Sequence, residues 1–352
     1  MGEKISFGLT APLPGKPVTE LVDFAVRCEE AGFDAVWYPD HILFMAKKLT
    51  PEVWSVITAA AVKTDRIRLG AIGDPHRSHP AMFAHRLATI DNLSGGRAFS
   101  CLGYGEKMNL DYYGISWNRP LARLRESVPL MRRLWAGETV TFKGEFFSLS
   151  EAEVRVSPVN GKDVPVYIAA TGPKALGVAG ALGNGWVTNA MPTWVFSSKL
   201  AEVEKAMGEN AAAENAAAEN FEKCIYIFVS VAKDKDTAYE TLDRIKHAVI
   251  WPDVIEEAGY DLEIEPQYKG LSYTSIMPND QDMLARFRQM GEKYYTRDIL
   301  SDFVIYGTAG DAIKRFEEYI AAGVTHFIIR DFSPDLEYSF NALAGEVIGH
   351  FR

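Results

Sequence analysis

Eight short apolar segments recur along the chain, and most are followed by a stretch with helical spacing of its apolar residues. This alternation restricts the fold more than any other feature. The segments are 5–9, 34–38, 67–72, 97–102, 164–170, 185–189, 224–231 and 325–330. They are apolar at successive positions, so both faces ask to be buried, which suits parallel strands covered by helices. Helices are expected at 18–31, 54–62, 80–93, 121–135, 173–182, from 193 onward, 236–250 and 308–322, with a terminal one at 335–351. Thr50 and Pro51 read as N-cap and N1 of the second helix, and Gly32 and Gly323 as helix stops. The expected fold is α/β, a closed (β/α)8 TIM barrel spanning 1–352 as one domain. No Gly-x-Gly-x-x-Gly follows the first strand, which removes the main argument for a dinucleotide-binding Rossmann half.

Three stretches interrupt the rhythm. Residues 141–147 read as a hairpin appended to the outside. Residues 208–220 repeat Ala-Ala-Ala-Glu-Asn, which permits a helix but gives it no face to bury. Residues 251–300 carry Pro252, Pro266 and Pro278 among many acids, and read as a helical insertion after the seventh strand that could serve as a lid.

A net charge of −10 with scattered Lys and Arg argues against nucleic acid and anionic membrane as partners. Cys28, Cys101 and Cys224 form no CxxC, and the last two sit in strand-like runs as buried thiols. The N-terminus lacks a signal-peptide core, so a cytoplasmic location is expected. On the second and third helices, Trp54, Ile57, Met82 and Phe83 suggest an apolar outer face that would be covered in a homodimer or higher oligomer.

In a barrel the carboxyl ends of the strands meet at one mouth. Here they bring Asp40-His41, Gly73-Asp74, Gly105-Glu106 with Asn109, Ala170-Thr171-Gly172 and Asn189. A His and a Glu facing one cavity can move protons. Gly103-x-Gly105 lets backbone approach a ligand. Thr171-Gly172 before a helix starting at Pro173 can hold an anion. Tyr104 and Trp186 could wall a planar ring. His76-x-x-His79 lacks the carboxylate or Cys partners that would complete a metal set, so no metal is expected.

Residues 33–41 (FDAVWYPDH), 87–97 (LATIDNLSGGR) and 167–173 (YIAATGP) resemble the bacterial luciferase-like superfamily. The resemblance runs from 5 to about 190 and resumes at 307–330. Asp40-His41 and Gly105-Glu106-x-x-Asn109 resemble its branch that uses the deazaflavin coenzyme F420. Residues 91–97, 125–128 and Gly137-Glu138 look closest to the methylenetetrahydromethanopterin reductases. The resemblance implies an F420-dependent oxidoreductase passing a hydride between the deazaflavin and a small organic substrate. It implies catalytic roles for His41 and Glu106. Asp40, Tyr104, Gly105 and Asn109 would contact the cofactor, Thr171 and Gly172 its phosphate, with Ala170 and Asn189 nearby. Ile72-Gly73, next to Asp74, matches the family's non-prolyl cis peptide behind the ring. Alcohol- and sugar-oxidising members carry Trp where this chain has Met45, and the reductases carry an acid late in strand one, where 7–10 has none. The alternatives are an FMN-dependent luciferase-like monooxygenase, the superfamily's other large branch, and a barrel that binds without catalysis.

Overall fold

The computed structural model describes residues 4–352 apart from 14, 45–47, 162, 211–219 and 251. Met45 and most of the Ala-Glu-Asn tract lie outside the described residues. In chain order the strands are β1 (Ser6–Thr10), β2 (Ala35–Pro39), β3 (Arg68–Gly73), β4 (Ala98–Leu102), β5 (Val140–Lys143), β6 (Ser148–Ala152), β7 (Val166–Ala169), β8 (Gly185–Asn189), β9 (Glu222–Val231), β10 (Ile305–Gly307) and β11 (His326–Asp331). Among the described residues, eight of them close a parallel ring, β1-β2-β3-β4-β7-β8-β9-β11 and back to β1. This is the expected (β/α)8 barrel. β5 and β6 pair antiparallel as a separate hairpin.

Among the described residues the α-helices are α1 (Val18–Glu30), α2 (Val53–Ala61), α3 (Pro80–Ser94), α4 (Pro120–Trp135), α5 (Pro173–Leu182), α6 (Thr193–Asn210), α7 (Lys235–Asp243), α8 (Lys246–Val249), α9 (Pro252–Glu257), α10 (Gln281–Tyr294), α11 (Arg297–Phe303), α12 (Ala309–Ala321), α13 (Leu336–Ala342) and α14 (Ile348–His350), the last two joined by a π-helical turn at Leu343–Val347. Most end where the sequence places their caps. α2 does not start at the Thr50-Pro51 pair: Glu52 is its N-cap, and the carboxylate accepts from the backbone N–H groups of Trp54 and Ser55. The single helix expected at 236–250 breaks at Arg244-Ile245 into α7 and α8. Ile245 and Ala248 turn toward the barrel mouth, so tertiary contact overrides helix continuation. β10 has no counterpart in the sequence reading. Its three residues pair with Val229–Val231 at the far end of β9.

Side chains alternate between two cores, as the strand period requires. The larger core lies between strands and helices and includes Val36, Tyr38, Leu69 and Ile168. The inner one fills the lower barrel with Trp37, Phe99, Cys101, Tyr167, Cys224 and Ile328. Trp37 and Phe99 lie 4.4 Å apart between ring centres. Gly8, Gly70 and Gly185 make room for these aromatics: a Cβ at those positions would collide with Trp37, Phe99 and Tyr167 respectively. The four side chains expected on an exposed dimer face are mostly interior. Trp54, Ile57 and Phe83 are buried, and only Met82 is exposed, because α2 and α3 pack their apolar sides on the barrel and on each other.

Below the inner core, at the amino ends of the strands, lies a charged floor. Arg68 Nη1 donates to Glu222 Oε1 at 2.6 Å, Tyr167 Oη donates to the same oxygen at 2.8 Å, and His326 Nδ1 bonds Glu222 Oε2. Trp37 Nε1 donates to His326 Nε2 at 3.2 Å. Burial alone would raise the Glu222 carboxyl, but the hydrogen bond from His326 and the charge of Arg68 outweigh it and hold the group far below the usual carboxylate range. A carboxyl depressed in the folded state stabilises the fold above its unfolded value, and this is lost as pH falls. Glu222→Gln leaves Arg68 without a counter-charge and is expected to destabilise the protein by roughly 2–4 kcal/mol at neutral pH, with the difference shrinking in acid; urea unfolding at several pH values checks this.

Candidate active site

The upper half of the barrel is hollow. A cavity of about 290 Å³ opens at the carboxyl ends of the strands. Asp40 and His41 follow β2, Gly73 ends β3 and Asp74 follows it, Gly103 to Asn109 follow β4, Ala170 and Thr171 follow β7, and Asn189 ends β8. The residues expected at the mouth line this cavity, apart from Trp186 and from Gly172, which lies just beyond it as the N-cap of α5: Asp40, His41, Ile72, Gly73, Asp74, Tyr104, Gly105, Glu106, Asn109, Ala170, Thr171 and Asn189. Gly105 has φ +83°, and a Cβ there would press on Leu110, Asp74 and His76 at 3.2–3.3 Å, so both conformation and space require glycine. Trp186 is a correction. It is fully buried, stacks on Phe196 and donates to Ala170 O at 2.9 Å, so it packs outside the barrel wall and forms no part of the cavity.

Glu106 begins a short 3-10 turn, Lys107–Asn109, which folds the Asn109 side chain back beneath it. Asn109 Nδ2 donates to His41 Nδ1 at 2.8 Å and to Glu106 Oε2 at 3.1 Å. His41 Nδ1 and Glu106 Oε2 are 3.2 Å apart. Asn109 Oδ1 accepts from the backbone N–H groups of Ile42 and Leu43 at 2.8 and 3.1 Å. The two side chains that can move protons are therefore held by one buried amide.

A second network lies beside it, around Arg77, which sequence reasoning missed. Its guanidinium reaches Asp40 Oδ2 at 2.8 Å and Asp74 Oδ2 at 2.9 Å, and also donates to Asp40 O at 2.6 Å. Trp54 Nε1 donates to Asp40 Oδ2 at 3.2 Å. Burial pushes Asp40 up despite Arg77 and Trp54. Asp74 is also buried, but hydrogen bonds from His76 and the charge of Arg77 outweigh that and lower it. His76 is thus bound to Asp74, through Nδ1 at 3.2 Å, and His79 caps α3 by accepting from Ala81 N–H at 3.2 Å. The spacing Asp74-x-x-Arg77 at a strand end was the available signal.

On the opposite wall are Tyr226 and Phe228 from β9, Arg330 from β11 and Phe332 just after it, with Ile245 and Ala248 at α8 and Tyr273 and Thr274 from the insertion that follows. Burial, and then the Glu106 carboxylate, push the phenols of Tyr226 and Tyr273 up. Arg330 donates to Ala11 O and Leu13 O and lies 5.3 Å over the Phe332 ring. Near the α5 N-terminus, Tyr104 Oη and Thr171 Oγ1 are 3.1 Å apart, and the buried Lys199 ammonium donates to Thr171 O at 2.7 Å. No side chain caps α5.

Glu222, Cys224 and His326 present ligand-type atoms within 4.8 Å of one another. They belong to the floor, where Arg68 already neutralises Glu222 and both His326 nitrogens are engaged.

A closed parallel barrel with its polar groups gathered at the carboxyl ends of the strands is an enzyme architecture of the TIM-barrel type. Residues 5–326 match the family model described as luciferase-like monooxygenase, and the chain belongs to that family. It is 30% identical to the 5,10-methylenetetrahydromethanopterin reductase of Methanolobus tindarius, over 98% of this chain and 100% of that protein. The structure of the coenzyme F420 dependent tetrahydromethanopterin reductase from Methanopyrus kandleri superposes with a TM-score of 0.81 at 27% identity, covering 99% of this chain and 100% of that one. An F420-dependent secondary alcohol dehydrogenase in complex with an F420-acetone adduct gives a TM-score of 0.81 at 26% identity, with 99% of both chains covered.

Arg77→Met leaves Asp40 and Asp74 buried without their shared cation. It is expected to destabilise the fold by roughly 3–5 kcal/mol at neutral pH, and by less as pH falls, since protonation of the Asp40 carboxyl, which burial raises, relieves the strain; urea unfolding at neutral and acidic pH reads this.

Proposed function

We propose that this protein is a coenzyme F420-dependent oxidoreductase whose substrate is a methylene-bridged tetrahydropterin. The observation that carries the reading is the pairing of His41 and Glu106, through Asn109, on the wall of a cavity that is otherwise largely apolar. Similarity to F420-dependent relatives along nearly the whole chain supports the cofactor.

The residues present fit the cofactor. Gly73, Gly103 and Gly105 offer bare backbone on one wall, where a flat ring can lie close. α5 begins at Pro173 with no side-chain cap, its positive end faces this corner of the mouth, and at Gly172 a Cβ would meet nothing within 4 Å, so a phosphate has room. Asp40, fixed by Arg77 and Trp54, would present its remaining acceptor capacity to a polar edge of the ring. When bound, the deazaflavin supplies the hydride. Reducing a methylene-bridged pterin to its methyl form takes up one hydride and one proton, and Glu106 is the group placed to deliver the proton. His41 would hydrogen-bond the reacting partners and hold them in register. Tyr226 and Tyr273, whose phenols stay protonated, would donate to the substrate from the opposite wall.

Residues 251–300 act in this reading as a lid, because Tyr273 and Thr274 reach the cavity from it. A homodimer belongs to the same reading, with Val62 and Met82 as exposed apolar side chains it could cover. The FMN-dependent alternative has less support: the structural neighbours named as monooxygenases or as holding FMN are 14–18% identical and share the fold alone.

Fluorescence titration is expected to show tighter binding of F420 than of FMN, and the reverse order would overturn the cofactor assignment. Glu106→Gln keeps shape and removes the transferable proton. It is expected to lower turnover of methylenetetrahydromethanopterin with reduced F420 by about 10²–10⁴-fold with F420 affinity nearly unchanged. Turnover within about threefold of the parent would remove Glu106 from the chemistry.

A further inference from the structure

We infer that Asn109 is a positioning residue that sets the protonation geometry of the site. It holds His41 in the tautomer with its proton on Nε2, and it keeps His41 and Glu106 as two separate acceptors rather than an ion pair.

The argument starts from the amide oxygen. Asn109 Oδ1 accepts from two backbone donors, the N–H groups of Ile42 and Leu43. A backbone N–H cannot accept, so the amide cannot be turned over without facing its NH2 toward two donors. Its orientation is fixed by the loop after β2. The NH2 group must then point at His41 and Glu106. It carries two hydrogens and meets two acceptors, His41 Nδ1 at 2.8 Å and Glu106 Oε2 at 3.1 Å. The amide is saturated on both sides.

A nitrogen that accepts has a lone pair and no hydrogen. His41 Nδ1 is therefore bare, and the neutral ring carries its proton on Nε2. The 3.2 Å approach of Nδ1 to Glu106 Oε2 has the length of an ion pair. A hydrogen on Nδ1 would, however, meet the Asn109 N–H at 2.8 Å, donor against donor. The shared amide explains the short approach without that hydrogen: it bridges two acceptors.

Other charged groups nearby leave this assignment intact. Asp40 precedes His41 in the chain, but its carboxylate is engaged by Arg77 and Trp54, and Asp74 by Arg77 and His76. Tyr226 and Tyr273 sense Glu106, and their phenols are donors. The face of His41 is met by Phe44, edge-on at 4.9 Å, which carries no charge.

The consequence divides the labour of the site. With Nδ1 occupied, His41 has one group to offer the cavity, an Nε2–H donor. Glu106 has Oε2 engaged and exchanges its proton through Oε1. The activity part of this inference rests on the function proposed above, and the tautomer does not.

The test is ¹⁵N NMR of protein labelled in histidine, with no cofactor or substrate added. The seven histidines are separated by assigning His41 through His41→Gln. Near neutral pH the parent should show a bare Nδ1 and a protonated Nε2 at His41. Asn109→Asp replaces the two donors by an acceptor and should move a proton onto Nδ1. Asn109→Ala removes the partner and should give a mixture of both tautomers. A protonated Nδ1 in the parent, as neutral ring or as imidazolium, overturns the inference without any variant. A bare Nδ1 retained in both variants overturns it as well. In turnover with methylenetetrahydromethanopterin and reduced F420, Asn109→Asp should lose about 10²-fold in kcat with KM and F420 affinity within about threefold. A parent that does not turn over this substrate refutes the proposed function, and the tautomer result still decides the inference.

Discussion

An eight-stranded barrel encloses a column of space, and something must fill it. In this chain the lower part is filled by Trp37, Phe99 and Tyr167, which glycines on neighbouring strands admit. Arg68, Glu222 and His326 seal it beneath. The filling stops at the level of Ala169 and Tyr226, and above it the column is a cavity. The site exists because the plug is short. Everything at the mouth is held by strands whose lower halves cannot shift without breaking a close-packed aromatic cluster or exposing a buried charge.

The barrel was legible because its signal is repetitive. Each strand is a short apolar run and most helices stop at a residue with a physical reason to stop them. The elements that were not legible owe their form to distant neighbours. β10 is three residues long and is a strand only because β9 offers an unpaired edge above Tyr226. The break between α7 and α8 follows from the demand for Ile245 and Ala248 at the cavity wall. The exposed face expected on α2 and α3 failed because helical spacing shows which residues share a side, and not which way that side is turned.

The same division holds in the site. Strand-end position alone brought Asp40, His41, Glu106 and Asn109 together, since a barrel allows its strand ends only one place to meet. Arg77 stands four residues beyond β3 and acts by joining Asp40 and Asp74; its spacing to Asp74 is local, but its contact with Asp40, 37 residues earlier, is one that no local spacing expresses. Asn109 is one of the residues that the strand ends bring to the mouth. Its amide is spent on protein partners, and only the accounting of donors against acceptors reveals that.

β9 changes neighbours along one edge. It pairs with β8 through Tyr226 and with β10 from Val229 to Val231. The chain that leaves the barrel after Val231 thus comes back beside its own point of departure, at Ile305. A loop whose two ends are stapled together can grow or shrink at small entropic cost, since closure depends only weakly on length. Insertions and deletions between these ends leave the register of every barrel strand untouched. The part of the cavity wall supplied by Ile245, Ala248, Tyr273 and Thr274 is therefore free to change with little effect on the barrel, while the parts built from the strands stay bound to the barrel's geometry.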